Sequence, residues 1–219
     1  MPSLPNLRIL QFAHSFVSRL LQKQLSSSEK YSRLQAIEFY STDFGLDGIS
    51  DELLSRIPNL SRLHFIGGRE LCLFTEMIER RMPIGVEHLV LGILSPLILP
   101  LSEWNLHPNL ISLTIFVGDQ INEAFDAIRD CLTFNPTSLS AGCFRTLSLY
   151  ITSRGDAATL VEGQLPYSQE DLVSIPCFQD ILRLCSTHGI DLRCQVLDLS
   201  DWVTNWLYDT QPQRNPSLN

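Results

Sequence analysis

Four residues whose side chains can bind a metal ion lie within eighteen positions of one another: Cys177, Cys185, His188 and Cys194. Thiolate and imidazole are ligands that Zn²⁺ prefers, so this set allows a zinc site to be drawn. Structural zinc sites usually take their ligands as close pairs, and the chain contains no CxxC pair. Cys185 also falls on the apolar stripe of a predicted helix. The pattern therefore favours buried thiols, and we assign no metal ligand.

A thiol nucleophile is the second chemistry that these residue types allow. Cys185 lies three positions before His188, and Cys143 is a further candidate thiol. Such a nucleophile needs a base and a third group that orients the base, and the sequence suggests no orienting partner. A P-loop, a GxGxxG after a strand, a GxSxG elbow and an HExxH motif are all missing. We therefore expect no catalytic residue and no cofactor, and a thiol-based enzyme stays an alternative.

Composition and charge restrict the classes of partner. Twenty-four acidic residues against 16 basic ones give the 219-residue chain a net charge of −8. This balance argues against nucleic acid, whose phosphates need clustered Lys and Arg, and it disfavours an anionic membrane surface. The longest apolar-rich uncharged run, 89–102, is shorter than the roughly 20 residues that span a bilayer. The six cysteines are too sparse for a disulfide scaffold and no signal peptide is evident, so we expect a cytoplasmic or nuclear protein.

A short apolar pattern recurs along the whole chain. It consists of an apolar residue, two variable residues, an apolar residue, one variable residue and an apolar residue. Three copies share a Pro-Asn-Leu lead-in. The intervals between successive starts are 27, 26, 26, 24, 34 and 50 residues, of which the first four match the period of leucine-rich repeats. The seven copies start at Leu7, Leu34, Leu60, Val86, Leu110, Phe144 and Cys194.

The repeat predicts an α/β fold, an irregular leucine-rich-repeat solenoid with parallel strands on the concave face and helices on the convex face. Each copy ends in the alternation typical of a strand, and one short strand can bury its apolar face only by stacking on its neighbours. Helical spacing predicts return helices at 16–25, 50–57, 70–81, 119–133 and 170–188. An ordinary α/β domain is the alternative architecture.

The repeat also sets the predicted domain boundaries. Residues 1–209 form the leucine-rich-repeat-like domain, with a loop inserted at 153–170, and 210–219 form a disordered tail. No polar cap precedes the first repeat, and we expect further sequence or another molecule to cover that edge.

The variable positions of the strands are the predicted binding surface, because side chains alternate between the two faces of a strand. The middle variable positions include Glu38, His64 and Asp198, and the positions after the last apolar residue include an aromatic-rich line. Aromatic anchors on an exposed sheet are typical of protein interfaces, although an inserted loop or a helix covering them is an equal alternative. The predicted protein-binding residues are Tyr40, His64, Ile66, Phe116, Tyr150, Glu38 and Asp198.

The Pro-Asn-Leu lead-ins, the irregular repeat lengths and the segment FQDILRLCSTHGIDLR at 178–193 together resemble the leucine-rich-repeat portion of fungal F-box-like proteins. The resemblance covers most of residues 4–200. It implies a protein-interaction module that captures substrate for a ubiquitin ligase. It implies docking to the adaptor of a cullin ligase only where an F-box precedes the chain, and no F-box-like segment lies ahead of the first repeat. A purely structural scaffold domain is a further alternative.

Overall fold

The structure is a computed structural model. It describes residues 7–13, 33–40, 57, 59–66, 85–93, 108–117, 121–135, 139, 142–152 and 169–197. The predicted helices at 16–25 and 70–81, nearly all of the one at 50–57, and the 210–219 tail lie outside these residues. So does most of the predicted insertion, 153–168. Within the described residues, no helix is long and apolar enough to cross a membrane.

The described residues form an α/β arrangement around one open sheet of seven parallel strands. The strands lie side by side in the order in which they occur in the sequence. Each one is short and rich in β-branched, aromatic or leucine side chains, as expected for strands buried on at least one face. Their bounds are β1 Ile9–Ala13, β2 Ala36–Tyr40, β3 Arg62–Ile66, β4 His88–Ile93, β5 Ser112–Val117, β6 Thr146–Thr152 and β7 Asp191–Leu197.

The register of the sheet follows the repeat pattern without a slip from β1 to β6. For example, Leu10 pairs with Ile37 and Ile37 with Leu63, each one the second apolar residue of its copy. The prediction for the seventh strand is wrong by five residues. Leu192, not Leu197, pairs with Leu147 of β6. The template matched Cys194 by chance, whereas the strand begins immediately after the turn that ends the preceding helix.

The apolar positions of the repeat form the core on one face of the sheet. Ile37, Leu63, Leu89, Leu113 and Leu147 occupy one continuous row, and none of them is more than 4% exposed. The next row begins with three stacked rings, with centroids 5.3 Å apart for Phe12–Phe39 and 5.0 Å apart for Phe39–Phe65. Fully burying each such side chain contributes about 1.5–3 kcal/mol, so this face stabilises the sheet.

Three described helices share this core: α1 Ile121–Phe134, α2 Gln169–Ser174 and α3 Pro176–His188. The 119–133 prediction for α1 agrees to within two residues at either end. The single helix predicted at 170–188 is wrong, because Ile175 interrupts it with φ −77° and ψ 120°. A residue before proline avoids the helical region, and Pro176 then starts α3. The inserted loop predicted at 153–170 therefore overlaps the first residues of α2.

The turn after α3 is held by two backbone hydrogen bonds. Gly189 adopts φ +67°, its N–H donates to Ser186 O at 3.3 Å, and Ile190 N–H donates to Cys185 O at 2.8 Å. This pair of bonds is the Schellman arrangement, which favours glycine at the left-handed position. It directs the chain straight into β7. Gly189 was predicted as the helix stop, and this prediction is confirmed.

A second repeated feature lies at the amino-terminal edge of the sheet. The residue before each of the first five strands accepts two N–H groups from the next unit. Arg8 O, for example, accepts from Gln35 N at 2.8 Å and Ala36 N at 3.0 Å. Gln35, Ser61, Glu87 and Ile111 repeat the arrangement. These bonds fix each strand relative to its neighbour before the sheet pairing begins, which keeps the rows of side chains aligned.

Candidate binding face of the sheet

The second face of the sheet carries three rows of aligned side chains. We call it the helix-free face, because all three described helices contribute to the core on the other face. The amino row is Ile9, Ala36, Arg62, His88, Ser112, Thr146 and Asp191. The middle row is Gln11, Glu38, His64, Val90, Thr114, Ser148 and Arg193. The carboxyl row is Ala13, Tyr40, Ile66, Gly92, Phe116, Tyr150 and Gln195.

Six of the seven predicted binding residues lie in these rows. Tyr40, Ile66, Phe116 and Tyr150 belong to the carboxyl row, and the pairing in register runs through Gly92. The rows of this face therefore form as the alternation predicted, from β1 to β6. For Tyr40 and Ile66 only the backbone is described.

The remaining three predicted residues are Glu38, His64 and Asp198, which were all expected in the middle row. Glu38 and His64 are neighbours in register on β2 and β3. Asp198 lies outside the described residues. The position in the middle row that was expected for it belongs to Arg193, because β7 pairs five residues earlier than predicted.

Three of the predicted contact residues are buried. Glu38 is 5% exposed, His64 is 2% exposed and Phe116 is completely buried, whereas Tyr150 is half-buried. In this structure the side chains of Glu38, His64 and Phe116 are therefore not accessible to a partner. The alternation of the sequence assigns a residue to a face but carries no information about whether that face is accessible at each strand.

A polar chain crosses β1, β2 and β3 in the middle row. The amide Nε2 of Gln11 donates to Oε2 of Glu38, and Oε1 of Glu38 lies 3.4 Å from Nδ1 of His64. Burial first of all, and then the charges of Arg62 and His88, together lower the pKa of His64 to about 3. The imidazole is therefore neutral at pH 7, and the contact joins a carboxylate to a neutral ring.

An aromatic pair marks the carboxyl row on β5 and β6. The rings of Phe116 and Tyr150 stack with centroids 4.9 Å apart and an interplanar angle of 15°. Because Phe116 is fully buried and Tyr150 is partly exposed, the pair presents the tyrosine at the surface. A phenol with one apolar side and one polar tip is a side chain that protein interfaces favour.

The amino row is an accessible polar line that the sequence reasoning missed. Arg62, His88, Ser112 and Thr146 lie next to one another in register and all are partly exposed. Nδ1 of His88 lies 2.8 Å from Oγ of Ser112. Burial and Arg62 lower the pKa of His88, and Glu87 opposes them more weakly. The signal was available: positions two residues before the middle row must face the same side of a strand.

The last strand exposes its whole helix-free side. Asp191, Arg193 and Gln195 are all exposed, one from each row. Nε of Arg193 donates to Oδ2 of Asp191 at 2.8 Å, which neutralises the two charges locally. β7 therefore offers polar side chains in all three rows, in contrast to the buried middle row of β2 and β3.

The thiols considered for chemistry are dispersed. Cys185 is buried in the core and burial raises its pKa to about 11, so it is a poor source of thiolate at pH 7. Cys143 is exposed. Cys177 donates to Oδ1 of Asp126 at 2.9 Å, and this bond raises the pKa of its thiol. Within the described residues no three His, Cys, Asp or Glu side chains are grouped as metal ligands.

The helix-free face is thus a graded surface. It is polar and accessible in the amino row from β3 to β6 and on β7, whereas Glu38, His64, Val90 and Ser148 of the middle row are buried. Its rows are aligned because the seven strands follow the order of the sequence and each pairs in register with the next. No protein-family model, curated protein or solved structure matches this chain.

Proposed function

We propose that this chain is a protein-binding module that holds its partner on the helix-free face, built on an irregular leucine-rich-repeat solenoid. One observation carries the proposal. Seven parallel strands in sequential order keep their variable residues in three rows, while the apolar side chains of their other face lie in the core or pack against it. Such an arrangement lets the surface residues vary without loss of the core, which suits recognition of a protein surface.

The accessible part of this face has the composition of an interface. The amino row contributes Arg62, His88, Ser112 and Thr146, and β7 contributes an exposed polar side chain to every row. Tyr150 adds an aromatic side chain beside them. Tyrosine and arginine are enriched among the side chains that contribute most to binding energy. The partner is expected to lie over the accessible side chains of the amino row, Tyr150 of β6 and the exposed side of β7.

We further propose that the captured partner is a substrate of a ubiquitin ligase. Support for this narrower role is the resemblance of the repeat and of the 178–193 segment to fungal F-box-like proteins. Under this proposal the chain supplies substrate recognition, and a separate F-box segment supplies docking to the cullin adaptor. Co-purification of the complete gene product with that adaptor tests the narrower role independently of the binding face.

A pair of exposed arginines offers a matched test of the binding face. Arg193 lies on the helix-free face and pairs with Asp191, whereas Arg183 lies on α3 and pairs with Asp180 at 2.7 Å. Their side chains are 69% and 76% exposed. Arg193→Glu and Arg183→Glu therefore make the same charge change at equal accessibility on opposite faces of the sheet.

The experiment places a photo-activated cross-linker at Gln195 or, as the control, at Ser186, both exposed. We expect a discrete protein adduct from Gln195 that Arg193→Glu reduces and Arg183→Glu leaves unchanged. Thermal unfolding of both variants checks that the fold is retained. Adducts that form at Ser186 but not at Gln195, and that respond only to Arg183→Glu, would assign binding to the helices and contradict the proposal.

A further inference from the structure

Among the charged side chains of the helix-free face, Arg62 differs from the others in its contacts. Glu38 contacts Gln11 and His64, and Asp191 pairs with Arg193. Arg62 makes neither an ion pair nor a side-chain hydrogen bond within the described residues, although its side chain is partly buried. A guanidinium that has lost part of its hydration gains from an anionic ligand, because that ligand restores the missing charge-assisted hydrogen bonds.

Two further donors stand beside Arg62 in the amino row. His88 is its partner in register on β4, and Ser112 is the partner of His88 on β5. Adjacent parallel strands lie about 4.8 Å apart, so the three side chains span roughly 10 Å along one line. With Nδ1 of His88 and Oγ of Ser112 2.8 Å apart, the hydroxyl can donate to the ring while Nε2–H of His88 points to an incoming group.

Charge is distributed unequally between the two sides of the sheet. The described helices carry Glu123, Asp126, Asp130, Glu170, Asp171 and Asp180 against Arg129 and Arg183. The amino row of the helix-free face instead carries Arg62 and His88, with Asp191 at its far end already neutralised. An acidic segment is therefore repelled by the helical side and attracted to the amino row. Salt limits the repulsion from the rest of the molecule to about 8 Å at physiological ionic strength.

We propose that Arg62, His88 and Ser112 form an anion-binding subsite that receives the carboxylates of an acidic peptide segment of the partner. This inference rests on the proposed function, since the segment belongs to the protein bound on the helix-free face. The guanidinium supplies the fixed charge and a two-pronged donor, His88 supplies an N–H that strengthens on protonation, and Ser112 holds the ring in place. The acidic side chain of the amino row is Asp191, which already pairs with Arg193, and the charge of Glu87 acts on His88 more weakly than burial and Arg62 do.

The test uses the full chain and a fluorescein-labelled hexaglutamate peptide, with hexaglutamine as the neutral control. Fluorescence anisotropy at low salt measures the dissociation constants for the wild type, Arg62→Gln and Arg183→Gln. Removing one partly buried ion pair is expected to weaken hexaglutamate binding by about fivefold, whereas Arg183→Gln changes it by less than about twofold. Equal affinities for Arg62→Gln and the wild type, or equal binding of the two peptides, would overturn the proposal.

A second measurement follows peptide binding in the wild-type protein, so its result does not depend on the folding of a charge variant. In ¹³C-histidine spectra of the wild type, saturating hexaglutamate should raise the pKa of His88, because a bound carboxylate favours the imidazolium. His88→Gln assigns the resonance, and His188 on α3 serves as the internal reference. A pKa of His88 that does not move on peptide binding excludes the subsite. Adducts at Gln195 without any response of His88 would leave the proposed function in place and reject only the anion subsite.

Discussion

Oε1 of Glu38 on β2 lies 3.4 Å from Nδ1 of His64 on β3, and the two side chains are only 6% and 2% exposed. Glu38 also accepts a hydrogen bond from Gln11 on β1, so one carboxylate connects three strands. Removing one partner of such a buried polar pair lowers the stability of the fold, because the other partner stays buried without its contact. Replacing both partners by apolar residues of similar shape can be nearly neutral. The first two predictions concern this pair.

Replacing both partners should destabilise the protein by less than the sum of the two single replacements. Glu38→Val removes the acceptor of Gln11 and the carboxylate beside His64, and we expect a loss of about 1–3 kcal/mol. His64→Val has a similar cost because it leaves the carboxylate buried. The double variant should lose less than the two single losses added together, as measured by urea unfolding. Strict additivity would mean that the two side chains do not interact.

Stability should fall as the pH decreases below about 6.5. The pKa of His64 is about 3 in the folded chain, below the ordinary value of 6.5, so the unfolded chain binds the proton first. The contribution of the neutral ring is complete above pH 6.5 and is lost progressively towards pH 3. The slope reaches about 1.4 kcal/mol per pH unit. In the His64→Gln variant the unfolding free energy should depend less on pH between about 6.5 and 3. An unchanged dependence would show that His64 does not cause it.

The cysteines should differ sharply in reactivity. Cys143 is exposed, whereas Cys131 and Cys185 are buried and burial raises their pKa values to about 12 and about 11. Iodoacetamide at pH 8 should therefore modify Cys143 within minutes and reach Cys131 and Cys185 only after unfolding. Peptide mass spectrometry after timed quenching measures each site, and Cys143→Ser is the control. Rapid modification of Cys185 in the native chain would contradict this order of reactivity and favour the thiol-enzyme alternative.

Gly189 should tolerate asparagine better than alanine. Its φ of +67° is strained for residues with a Cβ, although no atom lies within 4 Å of an added one. Gly189→Ala should therefore cost about 1 kcal/mol from the backbone alone, and Gly189→Asn should cost less. Urea unfolding of both variants measures the difference. Equal costs for alanine and asparagine would show that the preference of asparagine for the left-handed region does not decide the stability of this turn.

The local pattern predicted most of the sheet because the same apolar spacing recurs in the strands from β1 to β6. Six strands and the rows that they carry follow from the spacing of residues such as Leu34, Leu60 and Leu110, all buried as expected. The seventh strand was misplaced because CQVLDL spells the template by chance. Gly189 already ended α3, and the alternation of Leu192, Cys194 and Val196 begins directly after it.

The candidate site was predicted less well because exposure is a tertiary property. The sequences of β2 and β3 do not indicate that Glu38 and His64 are buried. The sequences of β5 and β6 likewise do not indicate that Phe116 is buried while the Tyr150 ring stacked on it is partly exposed. The amino row, by contrast, could have been predicted from strand alternation alone. Arg62 and His88 were missed because they occupy variable positions of the repeat, and the predicted surface included only the variable positions that follow them on each strand.

The sequential order of the strands also determines how the sheet can assemble. Each strand pairs only with the strands before and after it in the chain, and neighbouring strands begin 24–45 residues apart. Each pairing thus closes one loop of moderate length, and the entropic cost of closure rises only slowly with that length. Because each strand pairs only with its neighbours in the chain, we expect that folding can start at any adjacent pair and spread in both directions. Shortening the sheet by β7 should accordingly lower stability by a step and leave the register of the remaining strands intact.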